Sequence, residues 1–226
     1  MTYANTLEAA FISRPNRFIA HVELDGETVA AHVKNTGRCK ELLIPGAKVI
    51  LQSSGNPERK TAYDIIAVWK GDRLINIDSQ APNKVFLEHL QSGRYIDGLT
   101  LIKPETKYSG SRFDFYVEAG ERKIFIEIKG VTLEEDGVVM FPDAPTERGV
   151  RHLNELKQCV QDGCESQVVF VIQMSDVRYF TPNNKTHPAF GEALIAAEKA
   201  GVRVIALDCL VKEDTLKIGN PVKIRL

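Results

Sequence analysis

Three charged residues in two short apolar segments have the types and spacing for metal-dependent chemistry. Asp114 lies within Phe-Asp-Phe, and Glu127 and Lys129 lie within Ile-Glu-Ile-Lys. Carboxylate oxygens are the ligands that Mg²⁺ and Mn²⁺ prefer. A metal held by Asp114 and Glu127 would polarise a phosphate oxygen and lower the pKa of an attacking water. Lys129 would hold that water or stabilise charge on phosphorus. The three residues therefore predict phosphoryl chemistry.

A β-hairpin would bring these charges together. Residues 112–118 and 123–129 are rich in β-forming residues, and a turn at 118–121 separates them. Because side chains alternate along a strand, one face is predicted to be apolar and the other charged. The apolar set is Phe113, Phe115, Ile124, Ile126 and Ile128, and the charged set is Arg112, Asp114, Glu127 and Lys129. Charges on such central strands are rare unless paired or metal-bound, although Glu-x-Lys also occurs on solvated strands.

The composition is that of a folded protein with one large or two modest domains. The 226 residues are 43% hydrophobic and 26% charged, and the formal net charge is −1. Bulk charge therefore does not recruit nucleic acid, and any basic surface must be local. The four cysteines form no C-x-x-C pair, and neither a secretion signal nor a membrane span is visible. We expect a cytoplasmic protein with reduced thiols and no membrane partner.

Residues 1–80 are predicted to form an OB-like small β-barrel. Six short strands separated by turn signals favour this fold, at 7–14, 17–24, 27–33, 48–52, 62–70 and 73–77. Asp25-Gly26, between two alternating segments, predicts a type I′ hairpin turn. Such barrels often bind nucleic acid, but the fold alone does not establish that function.

Basic and polar residues in the loops of this half form a predicted nucleic-acid-binding patch. Its members are Arg14, Arg17, Lys34, Asn35, Arg38 and Lys40. Side chains of these types contact phosphates and so set the position of a protein on nucleic acid. A solvated loop with scattered charge explains the same residues equally well.

Residues 81–226 are predicted to form a mixed-sheet α/β domain. A helix opens at Pro82, and buried strands at 167–173 and 202–207 flank a helix at 186–200. This strand–helix–strand spacing indicates a parallel pair with a helical crossover. In the first helix, Glu88 is the candidate for a third metal carboxylate, against the alternative of a surface glutamate.

A second predicted helix runs from Thr146 to about Asp162 and places two further candidates on one stripe. We expect this stripe to face the acidic site. Arg148 would grip a phosphate there, and His152 would contact phosphate or transfer a proton. A solvated helix face is the alternative for both residues.

Several segments together resemble the sugar fermentation stimulation protein A (SfsA) family. They are Asn35-Thr36-Gly37, residues 111–115, residues 126–133, residues 141–149 with 151–153, residues 180–183 and residues 188–190. The resemblance spans nearly the whole chain, and FPDAPTERG at 141–149 is its most specific part. It implies an OB-like domain at 1–80, then a restriction-endonuclease-like domain of the PD-(D/E)xK type at 81–226. Phe113 replaces the proline of that motif, which carries no chemistry.

The resemblance also implies roles for single residues. Asp114 and Glu127 match the metal carboxylates, Lys129 matches the catalytic-type lysine, and Arg148 belongs to the characteristic loop. Members of the family are described as DNA-binding, and the family name records a link to sugar (maltose) metabolism.

Three functions are consistent with these observations. The first is a nucleic-acid-binding protein, with DNA favoured over RNA, that carries an Mg²⁺- or Mn²⁺-dependent phosphodiesterase site. The second is a non-catalytic DNA-binding regulator linked to sugar metabolism, which would bind through the barrel. The third is a small-molecule phosphohydrolase. Each function predicts a different result. The first predicts metal-dependent cleavage, the second predicts binding without cleavage, and the third predicts turnover of nucleotides without polymer binding.

Overall fold

The computed structural model describes residues 1–35, 37–56 and 58–226. The described residues form strands β1 (Thr6–Ser13), β2 (Ile19–Leu24), β3 (Glu27–Val33), β4 (Lys48–Ser53), β5 (Tyr63–Lys70), β6 (Arg73–Asn76), β7 (Leu99–Tyr108), β8 (Ser111–Ala119), β9 (Arg122–Val131), β10 (Leu133–Glu135), β11 (Val138–Phe141), β12 (Glu165–Ile172), β13 (Tyr179–Pro182), β14 (Arg203–Val211) and β15 (Leu216–Pro221). The helices are α1 (Ala81–Gln91), α2 (Glu147–Gln161) and α3 (Pro188–Lys199). None of these helices combines the length and apolarity needed to cross a membrane.

The first five strands close into the predicted OB-like barrel. The sheet order is β3-β2-β1-β4-β5-β6, and a parallel pairing of β3 with β5 completes the ring. Inward positions on β2 and β3, such as Ala20, Val22 and Ala31, are fully buried. The Asp25-Gly26 turn has positive φ at both residues, and Leu24 pairs with Glu27 across it. The type I′ prediction is confirmed, because this turn requires φ above zero at both central positions.

The second sheet is mixed and runs in the order β15-β14-β12-β9-β8-β7. Its centre, β9-β12-β14, is parallel, and the flanking strands are antiparallel. One apolar cluster lies between the sheet and α1, and another contains the buried faces of α2 and α3 together with inward residues of the barrel. The predicted restriction-endonuclease-like layering is therefore present. The predicted domain division at residue 80 falls between β6 and α1, and its position stays a prediction.

Phe113 and Phe115 lie on opposite faces of this sheet, so the prediction of one shared apolar face is wrong for Phe113. Phe113 packs with Phe125, ring centroids 5.6 Å apart, whereas Phe115 packs with Phe86 of α1 at 5.9 Å. The physical reason lies at Asp114. Regular pairing of β8 with β9 extends only to Phe115, so the simple alternation of side chains does not continue past this point.

Two details of the second half were not predicted. β10, β11 and β13 form a separate three-stranded sheet. The second is the edge strand Leu216–Pro221, which pairs with β14. Beyond it, Ile224 forms only an isolated bridge with Phe180. Short strands of this kind depend on distant partners and carry little local signal.

Glu134 joins the barrel to the second half through a buried ion-pair network. Only 4% of its side chain is exposed, and its carboxylate lies 2.7 Å from both Lys70 Nζ and Arg73 Nη1. The Gly137 backbone N–H donates to the same carboxylate. Since Lys70 and Arg73 belong to the barrel strands, this carboxylate fixes the barrel against β10.

Replacing Glu134 with glutamine should lower the free energy of unfolding by about 1–3 kcal/mol, because two partly buried cations lose their counter-charge. Urea denaturation measures the change. Glu105→Gln is the matched control, since Glu105 pairs with Arg112 at a site where 60% of its side chain is exposed. Exposed pairs contribute little, so the control should lose much less. Equal losses in the two variants would contradict a stabilising role for the Glu134 network.

Candidate active site

Asp114 occupies the point at which β8 separates from β9. The last regular pair is Phe115 with Ile126, and Asp114 and Glu127 are the next positions beyond it. The Ile128 backbone N–H donates to Asp114 Oδ2 at 2.7 Å. Asn83 Nδ2, from the first turn of α1, donates to Oδ1 at 2.7 Å. The Asp114 carboxylate therefore accepts the hydrogen bond that a β8 backbone carbonyl would otherwise accept from β9. This contact positions the carboxylate beside Glu127.

Glu127 is a buried carboxylate with two close partners on one oxygen. The residue is 4% exposed, and its Oε1 accepts from Lys129 Nζ at 2.6 Å and from His152 Nδ1. Its other oxygen, Oε2, is buried and has no hydrogen-bond partner among the described residues. Buried polar atoms without partners are rare in folded proteins, so Oε2 is a position at which a ligand is expected.

His152 connects this carboxylate to the start of α2. Arg148 Nε donates to His152 Nε2 at 3.3 Å, so Nε2 acts as an acceptor. The proton of the neutral ring must then sit on Nδ1, from which it is donated to Glu127. His152 is only 2% exposed. The stripe that carries Arg148 and His152 thus faces the acidic site as predicted, but His152 is enclosed and has no surface with which to contact nucleic acid.

The two carboxyl groups have pKa values displaced in opposite directions. Burial, and after it the charge of Glu127, raises the pKa of Asp114 to about 6. Burial also acts to raise the pKa of Glu127, but the hydrogen bond from His152 and the charge of Lys129 outweigh it and leave the pKa below its usual value. At neutral pH both groups are anionic, and Asp114 is the one that a modest fall in pH protonates.

The donor set suits a divalent cation. Two anionic carboxylates adjoin each other, one carboxylate oxygen is buried without a partner, and hard cations prefer such oxygens. Glu88 is not part of this set. Its carboxylate lies 2.5 Å from the Met1 ammonium, and 55% of its side chain is exposed. Within residues 1–35, 37–56 and 58–226, no three Asp, Glu, His or Cys side chains gather as a metal cluster. The structure therefore does not bring Glu88 to Asp114 and Glu127, and a third carboxylate from α1 stays a prediction.

Three residues of the predicted nucleic-acid-binding patch hold the barrel loops together instead. The Arg14 guanidinium donates to four backbone carbonyls, those of Arg17, Asn35, Gly37 and Arg38. Lys34 pairs with the buried Asp78 at 2.8 Å. The Asn35 amide donates to the Ile77 carbonyl and accepts from the Gly37 N–H. Because these polar groups are already engaged within the chain, their predicted contact with phosphate is not supported.

The other three residues of the patch are accessible. Arg17, Arg38 and Lys40 are exposed, and all three line one surface depression next to Ser13 and Asn16. The Arg17 guanidinium lies 4.9 Å from the ring centroid of Phe18, which is 46% exposed. Cations beside an exposed aromatic ring match the surfaces that bind single strands by charge and stacking.

Asn83 and Gln173 belong to the site region but were missed from the sequence. Asn83 holds Asp114, and Gln173, directly after β12, donates through Nε2 to Asn76 of the barrel at 2.8 Å. The only local signal was a polar residue beside an apolar segment. Their roles depend on partners 31 and 97 residues away, which a local pattern does not reveal.

Two family models match the two halves of the chain. The sugar fermentation stimulation protein RE domain matches residues 80–215, and the SfsA N-terminal OB domain matches residues 12–77. The chain belongs to the sugar fermentation stimulation protein family. An SfsA homolog of Desulfitobacterium hafniense (strain Y51) is 62% identical over 226 residues, covering 100% of this chain and 99% of that protein. The homolog of Ruminiclostridium cellulolyticum is 58% identical, covering 100% of both chains.

A solved SfsA structure shares the whole architecture. The Pyrococcus furiosus SfsA structure superposes with a TM-score of 0.90 at 28% identity, covering 100% of this chain and 98% of that chain. That protein was determined in complex with Ca²⁺. The agreement over the full length confirms that this SfsA family member combines the OB barrel and the restriction-endonuclease-like sheet in one arrangement.

Asp114→Asn should stabilise the metal-free chain at pH 8 by about 1–2 kcal/mol. The folded-state pKa of Asp114 is raised, so its favourable contribution is complete below the unfolded value near 4 and is lost as the pH rises through about 6. Asparagine remains neutral and still accepts from Ile128. The advantage should therefore fade between pH 6 and pH 4 in urea denaturation with EDTA.

Asp72→Asn, at an exposed turn position, is the control and should show no comparable dependence on pH. A pH-independent difference for the Asp114 variant would contradict the raised pKa.

Proposed function

We propose that the chain binds nucleic acid and hydrolyses phosphodiester bonds at a divalent-metal site formed by Asp114 and Glu127. The observation that carries this proposal is the adjoining pair of buried carboxylates, one of which leaves Oε2 without a partner among the described residues. Lys129 and Arg148 lie on the same network. Metal ligands, a cation for the reacting phosphate and a surface-exposed arginine thus occur together, which fits phosphoryl transfer.

Asp114 and Glu127 would hold the metal, and Mg²⁺ or Mn²⁺ suits their hard oxygens. The Ca²⁺ bound by the P. furiosus relative supports the presence of a divalent cation site in this family. When bound, the cation would supply Lewis-acid activation of a water and of a phosphate oxygen. Asn83 and the Ile128 N–H orient Asp114 for this role, as outer partners of metal ligands usually do.

Lys129 is the candidate for the positive group at the reacting phosphorus. Its Nζ is 2.6 Å from Glu127 Oε1, and 13% of its side chain is exposed. Pairing with Glu127 orients the ammonium, while its remaining two N–H groups can hold an attacking water and contact a developing phosphorane oxygen. Such preorganised charge stabilises the transition state more than the ground state.

Arg148 is the candidate for a phosphate clamp. Its Nε is engaged by His152, so the guanidinium is oriented from its inner side. The residue is exposed, and its two terminal nitrogens make no hydrogen bond to any described residue. A guanidinium in this state can bind a phosphate in bidentate fashion. His152 is a positioning residue, since it acts through Arg148 and Glu127.

Arg17, Arg38 and Lys40 would contact the backbone of a DNA strand, with Phe18 available for stacking. Phosphate contacts of this type release counterions, so affinity should fall steeply with salt. DNA is favoured over RNA because members of the family are described as DNA-binding.

Lys129→Met should reduce metal-dependent cleavage by at least about a hundredfold, because an ammonium aimed at the reacting phosphate is removed. End-labelled single- and double-stranded DNA and RNA in Mg²⁺ or Mn²⁺ provide the assay. Lys123→Met, at an exposed position on the same strand, is the matched control and should cleave normally.

Cleavage by wild type and control alone supports the phosphodiesterase. Band shifts without cleavage by any of the three proteins would indicate a binding regulator instead. Turnover of free nucleotides without polymer binding would favour a small-molecule phosphohydrolase.

Ca²⁺ binding measured by calorimetry tests the metal site without catalysis. Glu127→Gln and Asp114→Asn should each weaken binding at least tenfold, whereas Glu118→Gln on β8 should not, because the Glu118 carboxylate contacts Tyr116 rather than this site. Wild-type affinity should fall as the pH drops below about 6, since a proton then competes at Asp114. Equal Ca²⁺ affinity in all four proteins would place the cation elsewhere.

A further inference from the structure

A cavity of about 340 Å³ lies between the barrel and the segment that leads into α2. The barrel contributes residues from its loops, β9 contributes the residues that follow Lys129, and the 140–146 segment forms the opposite wall. The polar lining residues are Asn35, Ser79, Thr132, Asp143, Thr146 and Gln173. None of these residues is assigned a role in the proposed cleavage, so the cavity requires a separate explanation.

Gln173 has a side-chain amide whose orientation is determined by one backbone carbonyl and one side-chain oxygen. Its Nε2 donates to the Asp78 carbonyl at 3.1 Å and to Asn76 Oδ1 at 2.8 Å. The second acceptor is itself identified as oxygen, because the Asp78 backbone N–H donates to it at 3.1 Å. Reversing the Gln173 amide would face its oxygen against two acceptors. The orientation is therefore assigned by the hydrogen-bond network.

The Gln173 oxygen, Oε1, is consequently left as an unpaired acceptor. Gln173 is 2% exposed, and its Oε1 accepts no hydrogen bond from the described residues. A Cβ at Gly130 would lie 2.8 Å from this oxygen and 2.7 Å from Pro82 Cγ. Glycine at position 130 thus keeps the oxygen open at the cavity wall. An acceptor that is fixed in direction and open to a cavity is a position at which the donor group of a ligand fits.

The lining chemistry identifies the class of ligand. The described lining residues include no Lys, Arg or His, whereas Asp143 and Gln173 present oxygen acceptors. Phosphate groups are therefore disfavoured, and neutral hydrogen-bond donors are favoured. Val131, Met140 and Phe141 supply apolar walls. The volume is near the lower end of the range for small-molecule sites, about 300–1,000 Å³. A flat ring that carries an N–H group matches all of these properties.

The cavity begins at Gly130, directly after Lys129. Gly130 follows Lys129 along β9, so the cavity adjoins the strand position that carries the residue proposed to contact the reacting phosphate. We propose that the cavity binds an unstacked nucleobase, which donates an N–H to Gln173 Oε1. This inference rests on the proposed function, and it makes the cavity a site of base selection next to the cleaved phosphate. Enzymes that act on extruded bases read them by such edge contacts.

Two nucleosides test the proposal in the full-length chain without metal. 2′-Deoxyadenosine has a single donor group on its base, the exocyclic amine, and purine 2′-deoxyriboside lacks that amine. Deoxyadenosine should bind about tenfold more tightly, because only its amine can satisfy the Gln173 oxygen. Equilibrium titration followed by NMR measures both affinities. Equal affinities, or no binding of either nucleoside, would overturn the proposal.

Ala144→Leu provides the second test, because it adds volume to the wall of the cavity without removing any hydrogen bond. It should reduce deoxyadenosine affinity at least tenfold. Ala189→Leu, at an exposed position on α3, is the matched control and should bind as wild type does. Gln173 itself is unsuitable for substitution, because its amide also joins the barrel to the sheet. Unchanged affinity in Ala144→Leu would locate the binding elsewhere and refute the assignment.

The result of the nucleoside titration is independent of the result of the cleavage assay. Nucleosides carry no phosphate and the titration contains no metal, so base binding can succeed where cleavage fails, and cleavage can succeed where base binding fails. Failure of the nucleoside titration alone leaves the phosphodiesterase intact, whereas failure of cleavage alone leaves a base-binding protein.

Discussion

Burial of the Glu127 charge is the constraint on which the rest of the site depends. A carboxylate with 4% exposure is stable only if surrounding groups replace the water it has lost. Lys129 and His152 do so for one oxygen, and Arg148 in turn holds the imidazole in the tautomer that can donate. The second oxygen, Glu127 Oε2, has no hydrogen-bond partner among the described residues. The proposed cation would bind at this oxygen.

The same region shows how an irregular strand positions a candidate site residue. Where β8 stops pairing with β9, the Ile128 N–H would lose its acceptor, and the Asp114 carboxylate replaces it. The side chain is thereby fixed with the precision of a backbone hydrogen bond. Regular pairing would have kept Phe113 and Phe115 on one face, with a backbone carbonyl and not the Asp114 carboxylate as the acceptor for the Ile128 N–H. Loss of strand regularity and formation of the site are one structural event.

Local signals predicted much of this architecture, and long-range partners account for what was missed. The Asp25-Gly26 turn and the Thr146 cap, which accepts from the Gly149 N–H, are determined by neighbours in sequence, and both were predicted. Glu88 is engaged by the Met1 ammonium, 87 residues away. Arg14 is likewise engaged by carbonyls up to 24 residues distant. Residue type and spacing identify groups that can do chemistry, but tertiary partners decide which of them remain available.

Hydrogen bonds among Gln173, Asn76 and Asp78 connect the barrel to the second half of the chain. The direction of the Gln173 oxygen is set from the barrel, although the residue follows a strand of the other sheet. Tyr3 extends this hydrogen-bond network, since its hydroxyl accepts from Asn76 Nδ2 at 3.0 Å. A small rotation of the barrel would re-aim an acceptor in the cavity without moving any residue of the sheet. If the cavity binds a base as proposed, changes in barrel residues that never contact the ligand would alter its selectivity.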